Sequence, residues 1–173
     1  MAIERSKRRV SAPRLAALAR RLLDESRLFA LATVAPDGTA HINTAYFAWS
    51  PTLALVWLSH PDARHSRNIR ANPSAAAAVY DSTQSWGKPD RGLQLFGSAS
   101  ELEDADDAGA LYAQRFSDYR RDDVEAYRFY DLRPRRIKLF DERELGAGRF
   151  VTAGVDDRGR LTWEATETYR PRS

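Results

Sequence analysis

"LFALATVAPDGTAHINTAYFAWS", residues 28–50, is the stretch whose reading decides the fold. It opens with an apolar run, "LFALATV" (28–34), passes through "APDG" (35–38), and continues as "TAHINTAYFAWS" (39–50). Two strand-like runs joined by a short turn containing Pro, Asp and Gly read as a β-hairpin. Alternation then places His41, Asn43, Ala45 and Phe47 on one face of the second run, and Ile42, Thr44 and Tyr46 on the other.

The pattern extends in both directions. Upstream, "APRLAALARRLLDE" (12–25) sets Leu15, Leu18, Leu22 and Leu23 on one side of an amphipathic helix. Downstream, "SPT" (50–52) turns the chain into a third strand, "LALVWLS" (53–59). "HPDARHSRNIRANP" (60–73) reads as a helix, with Pro61 near its start and Asn72–Pro73 closing it. Strands are expected next at 74–81 and 92–103, joined by the polar segment 82–91. Helical spacing returns over 104–119, and a short helix is expected over 122–131. Strands are expected at 135–141, 148–155 and 160–166, the last two joined by the turn "DDRG" (156–159). Only one helix falls between strands in the first hundred residues, so the tally does not spell a parallel α/β sheet. Mainly β structure with antiparallel pairing, closed into a barrel with peripheral helices, is the expectation. The division expected is a basic arm at 1–11, one domain over 12–166, and a loose tail, "ETYRPRS", at 167–173.

Bulk properties narrow the function. The 173 residues suit one domain with a sizeable core, and 43% hydrophobic with 29% charged residues is globular composition. Net charge is +3, too mild to imply nucleic acid, although "ERSKRRVSAPR" (4–14) concentrates cations at the front. There is no cysteine, which excludes disulfides and thiolate chemistry. No apolar stretch approaches a membrane span or a secretory signal, so a cytoplasmic protein without a membrane partner is expected.

Reactive motifs are missing too. The sequence has no G-x-G-x-x-G, P-loop or G-x-S-x-G. His60 and His65 are five apart, not the spacing of a zinc helix, and no metal site is expected. The acidic run 101–107 reads as a helix start and solvated surface. Ser59 or Ser66 beside His65 admits two readings, a nucleophile with its base or helix capping. A chain without its own reactive groups is a binding module or borrows its chemistry from a cofactor. The helix at 60–73 bears on that choice. Its first turns carry Arg64, His65 and Arg67, although a helix start already bears partial positive charge. Either these are solvated surface cations, or a bound anion offsets them. For the second reading Ser59 offers a hydroxyl, Arg64 and Arg67 offer charge-assisted donors, and Asn43 faces the same cleft from the adjoining strand.

In sequence order, "LATVAPDGTAHINTAYFAWS", "LALVWLSHPDARHSRNIRANPSAAAAVYD" and "GLQLFGSASELED" resemble the pyridoxamine 5′-phosphate oxidase-like, flavin-binding split-barrel superfamily. The resemblance covers about residues 26–103, and "PRRIKLFD" (134–141) is similar to the family's late strand. It implies a six-stranded antiparallel Greek-key split barrel. It also implies a homodimer holding FMN noncovalently at the subunit interface, and an oxidoreductase acting on a small molecule. Matching the motifs places Asn43, Thr44 and Ala45 beside the flavin ring, Leu58 and Ser59 at the cofactor, and Arg64 and His65 on its phosphate. Arg67 is expected to support His65, which stands where the family carries lysine. Gln94 is expected to substitute for a family glutamine matched by Gly92. Phe47, Trp49, Trp57 and Trp86 wall the ring or pack in the core. The C-terminal segment does not match the oxidase's substrate-binding end. Relatives that bind the deazaflavin F420 or haem, or that have lost their cofactor, keep two alternatives of the same fold: an F420-dependent reductase, or a non-catalytic holder of F420, haem or flavin.

Overall fold

The computed structural model describes residues 2–6 and 8–170. Met1 and Lys7 of the expected arm, and residues 171–173 of the expected tail, lie outside them. The strands are β1 (Ala2–Ser6), β2 (Leu28–Val34), β3 (Ala40–Tyr46), β4 (Ala48–Trp49), β5 (Leu55–Ser59), β6 (Ser74–Tyr80), β7 (Arg91–Glu101), β8 (Arg128–Asp141), β9 (Arg149–Val155) and β10 (Leu161–Arg170). The helices are α1 (Ala12–Glu25), α2 (Arg64–Ala71), α3 (Asp106–Arg115) and α4 (Glu142–Leu145).

The protein is mainly β, and every pairing is antiparallel. Ten strands form one sheet: its main path runs β1-β10-β9-β8-β7-β6-β2-β3, and β4 and β5 join off that path, β4 pairing with β5 and β5 with β8. β8 is its hub. β7 lies along one side of it, while the other side pairs first with β5 over Arg128–Leu132 and then with β9 over Arg136–Phe140. A bulge makes that change of partner possible: the β7–β8 register shifts between Phe96 and Gly97, opposite Pro134. Proline cannot donate to a ladder, and a bulge tolerates that. A Cβ on Gly97 would lie 2.0 Å from the Arg133 carbonyl oxygen, so only glycine fits this approach. The sheet curls until β3 comes near β5, but no ladder joins them. That gap is the split in the barrel.

The alternation read from residues 28–50 decides which side is core. Phe29 and Leu31 of β2 face inward with Ala75, Ala77 and Val79 of β6, Leu93 and Leu95 of β7, and Ile137 and Leu139 of β8. α1 adds Leu15, Leu18, Leu22 and Leu23. Phe47 and Trp57 are fully buried and belong to this core, not to a cofactor wall, while Trp86 is wholly exposed. A second, smaller cluster joins Ala48, Val56 and Phe129 to Ala108 and Tyr112 of α3.

Three local expectations are corrected. Residues 122–131 hold no α-helix: a 3-10 turn covers Arg121–Val124, and β8 already starts at Arg128, because pairing with β5 outweighs a weak helical pattern. The arm and tail are ordered together, since Glu4 of β1 pairs with Thr168 of β10. Residues 167–170 are therefore strand. Among the described residues no helix is long and apolar enough to cross a membrane.

The outer face of β3-β2-β6-β7 is unusual. Register places Thr44, Ala30, Ala78, Gln94 and Lys138 in one row across it, and Ile42, Ala32, Ala76, Phe96 and Arg136 in the next. Ile42 is 68% exposed and Tyr46 58%, and Leu28, Tyr80 and Phe96 are also exposed on this face. Small alanines make it flat, and the large apolar residues sit around them. A contiguous exposed apolar face of this kind marks an interaction surface.

Candidate functional site

β5 ends at Ser59, and α2 begins only at Arg64. The expected helical start at residue 60 is instead a turn, closed by the Ala63 N–H donating to the His60 carbonyl. The first helical bond, Arg67 N–H to Ala63 O, comes after it. Ala63 caps α2 without a side-chain bond, so Ser59 is not its cap. Asp62 falls in the turn, and α2 has no acidic residue in its first turn.

Ser59 has a different role. Its Oγ lies 2.6 Å from His65 Nε2, and Ser66 Oγ donates to Ser59 Oγ at 3.2 Å and to the His60 carbonyl at 2.9 Å. All three side chains are buried. Deeper in the helix, Asn68 Nδ2 donates to Thr33 Oγ1 at 3.1 Å and fastens α2 to β2. The His41 ring lies parallel to that of His65, with centroids 6.4 Å apart and an interplanar angle of 4°. Burial first, and then the neighbouring His41, hold the His65 imidazole below its ordinary value. In a neutral ring Nε2 donates to or accepts from the Ser59 hydroxyl according to the tautomer, and either way the contact fixes the ring's orientation. No carboxylate among the described residues bonds His65, and Ser59 is almost fully buried. The pair is built to hold the ring, not to attack a substrate.

This arrangement sets a pH dependence. The folded value of His65 lies below the unfolded value of 6.5. At neutral pH both states hold a neutral ring. As pH falls through about 6.5 the unfolded chain takes the proton first, and the folded state loses stability until its own depressed value is passed. Denaturant unfolding at about pH 7.5 and about pH 5.5 should show a smaller loss in His65→Gln than in the wild-type chain. Equal losses would show that His65 does not fold as a neutral ring.

Arg64, the first residue of α2, is exposed and has no hydrogen bond or ion pair among the described residues. The Asp37 carboxylate, on the β2–β3 turn, lies within its field. The Thr39 backbone N–H chiefly, with Arg64 adding to it, keeps that carboxyl below the usual range. Arg67 turns back and donates to the Asp62 carbonyl, so it braces the turn instead of reaching outward. Arg70 also holds this turn, donating to the Pro61 carbonyl at 2.7 Å, and pairs with Glu101 at 3.3 Å.

The structure divides the nine residues selected from sequence. Ser59 and His65 meet, with Arg64 adjacent in the chain. Asn43 and Ala45 lie on the inner face of β3 with His41, and the half-buried Asn43 side chain has no partner among the described residues. Thr44 and Gln94 share the outer row, away from Ser59. Leu58 alternates away from Ser59 and packs against the α3 cluster. Sequence reasoning missed the role of His41, although its place on the Asn43 face was readable. It also missed Asn68, because a bond across 35 residues leaves no local pattern.

The free N–H groups of the first turn of α2 and the unpaired Arg64 fit a phosphate-bearing group. Among the described residues no cluster of three or more metal-ligating side chains occurs. The profile of the pyridoxamine 5′-phosphate oxidase family matches residues 15–141, well over half of the chain. The chain belongs to that family.

Solved structures agree on the fold of this pyridoxamine 5′-phosphate oxidase family member. It is similar to the haem binding protein from Mycobacterium smegmatis, at 23% identity and TM-score 0.62, over 85% of this chain and 59% of that one. It is similar to HutZ, the haem storage protein from Vibrio cholerae, at 21% identity and TM-score 0.57, over 70% of this chain and 88% of that one. General Stress Protein 26 from Bacillus anthracis matches at 17% identity and TM-score 0.59, over 73% of this chain and 93% of that one. No curated protein matches by sequence.

Proposed function

We propose that this family member is an oxidoreductase that holds FMN noncovalently at a homodimer interface and acts on a small molecule. The observation that carries the reading is the start of α2, where Arg64 stands unpaired beside a buried His65. Arg64 and the first-turn N–H groups would hold the phosphate. His65, held in orientation by Ser59, would stand beside it as a neutral ring. Asn43 and Ala45, on β3, border the same cleft. When bound, a flavin supplies the hydride chemistry, and the protein's part is binding, orientation and a shaped site. The apolar outer face supports the dimer. Its row from Thr44 to Gln94 would bring a second chain's residues to the cofactor from the other side.

A second reading keeps the fold and removes the turnover: a holder of haem, F420 or flavin. The likeness in fold to two haem proteins favours it. The visible spectrum of the purified protein, with release and identification of its chromophore, separates these readings. Flavin bands with reductant-dependent turnover support the first. A Soret band or a deazaflavin spectrum supports the second, and a colourless protein that takes up none of added FMN, F420 or haem sinks both.

A further inference from the structure

A second cavity, of about 620 Å³, lies between α1, β4 and α3. It is remote from the start of α2. In the β2–β3 hairpin, His41 lies at the end facing α2, whereas Leu28 and Tyr46 pair at the other end, between Arg27 and Ala48. Its volume lies in the range of small-molecule sites. Its apolar walls include Trp49 and Leu111, and its cations are Arg20, Arg27 and Arg115.

One carboxylate faces these three cations, so their charge is only partly neutralised. Asp24 is the one carboxylate at the cavity, and it is engaged: its Oδ1 accepts from the Trp49 indole at 3.1 Å and lies 3.9 Å from Arg115. Arg115 is nearly buried and forms the floor. Its guanidinium donates to the Leu23 carbonyl at 2.6 Å and to the Ser26 carbonyl, and lies 4.9 Å from the Phe47 ring. Its Nε is buried and has no hydrogen-bond partner. Burial, and then the charge of Arg27, push Arg115 down from its ordinary value. Arg27 is anchored by donating to the Arg115 carbonyl at 3.0 Å, but among the described residues no carboxylate pairs with it. Arg20 has no hydrogen bond or ion pair among the described residues.

We propose that this cleft binds a small organic carboxylate with a flat apolar body, the carboxylate meeting Arg20 and Arg27 and the body lying against Trp49 and Leu111. The guanidinium fork matches a carboxylate, and two unpaired forks beside an apolar wall select an anion that also has surface to bury. The proposal is independent of what binds at α2.

The test is titration of the full chain with 2-naphthoate, followed by the Trp49 indole N–H signal in NMR, assigned with Trp49→Phe. Saturation at about 1 mM or below is expected. Arg20→Gln, which breaks no contact within the protein, should weaken binding about tenfold, and Arg20→Gln with Arg27→Gln by about thirtyfold or more. The neutral 2-naphthamide should bind at least about tenfold more weakly, and inorganic phosphate should leave the signal unmoved. Arg64→Ala should leave 2-naphthoate binding unchanged. The proposal is overturned if the signal does not saturate by about 10 mM, if the amide binds equally, or if Arg20→Gln has no effect. A loss on Arg64→Ala would place the probe at α2 and overturn it too.

Discussion

Arg64→Ala weakens FMN binding by about ten- to more than a hundredfold, while the apo protein melts no earlier than wild type. The size comes from a charge-assisted hydrogen bond, about 1.5–3 kcal/mol when its partner is removed. The unchanged melting comes from Arg64's position. It is the first residue of α2, exposed and unpaired, so its loss removes a cation from the positive end of a helix and breaks no contact. Arg143→Ala, on the exposed surface of α4, is the control and should bind FMN as wild type does. Arg70 is unsuitable as a control, because it holds the turn before α2. His65→Lys, which restores the family's usual cation, should not tighten binding: it places a charge in a buried site and breaks the hydrogen bond with Ser59. FMN titration of these variants, with thermal melts of the apo forms, is the measurement. If Arg64→Ala binds as tightly as wild type, no phosphate rests at α2.

In the proposed homodimer, Ala78→Glu should convert dimer to monomer, weakening association by at least about a thousandfold, and should carry FMN binding down with it. Ala78 lies in the middle of the outer row, between Ala30 and Gln94. A carboxylate there is harmless to the monomer, since the face is open in a single chain. In a two-fold interface the same substitution enters twice, and each unpaired buried charge costs about 3–5 kcal/mol. Sedimentation analysis at micromolar concentration, with and without FMN, checks the mass. A dimer in Ala78→Glu with wild-type affinity would mean that the interface lies elsewhere. A monomeric wild-type chain with FMN bound would remove the shared site altogether.

Much of the fold was legible because its signals are local. Leu15, Leu18, Leu22 and Leu23 repeat at helical spacing, and α1 spans the expected 12–25. The hairpin at 28–50 showed in its alternation and its turn, and β2 and β3 pair in the register that alternation implies. Where local preference was weak, the neighbours decided. Residues 122–131 have some helical spacing, but the open ladder of β5 claims Arg128 through Leu132 as strand. The terminal segments look polar and loose by composition, yet β1 and β10 each satisfy the other's backbone.

The site divides along the same line. Sequence by itself determined that the chain has no thiol, no nucleotide loop and no metal helix, and that cations crowd the first turns of the segment 60–73. It also determined which residues share a strand face, because a period of two is a property of the backbone. Tertiary structure decided what those residues do. Only the packing of α2 against β2 brings Ser59 to His65 and His41 alongside it. Only the register across four strands puts Thr44 in line with Gln94 and away from Ser59. Whether an arginine is free or engaged depends on how the chain folds around it: Arg67 is folded back onto the Asp62 carbonyl, Arg115 of α3 is buried against the end of α1, and Arg64 and Arg20 remain unpaired among the described residues. Charge is written in the sequence, but its neutralisation is a matter of distance, and distance between remote residues exists only in the folded chain.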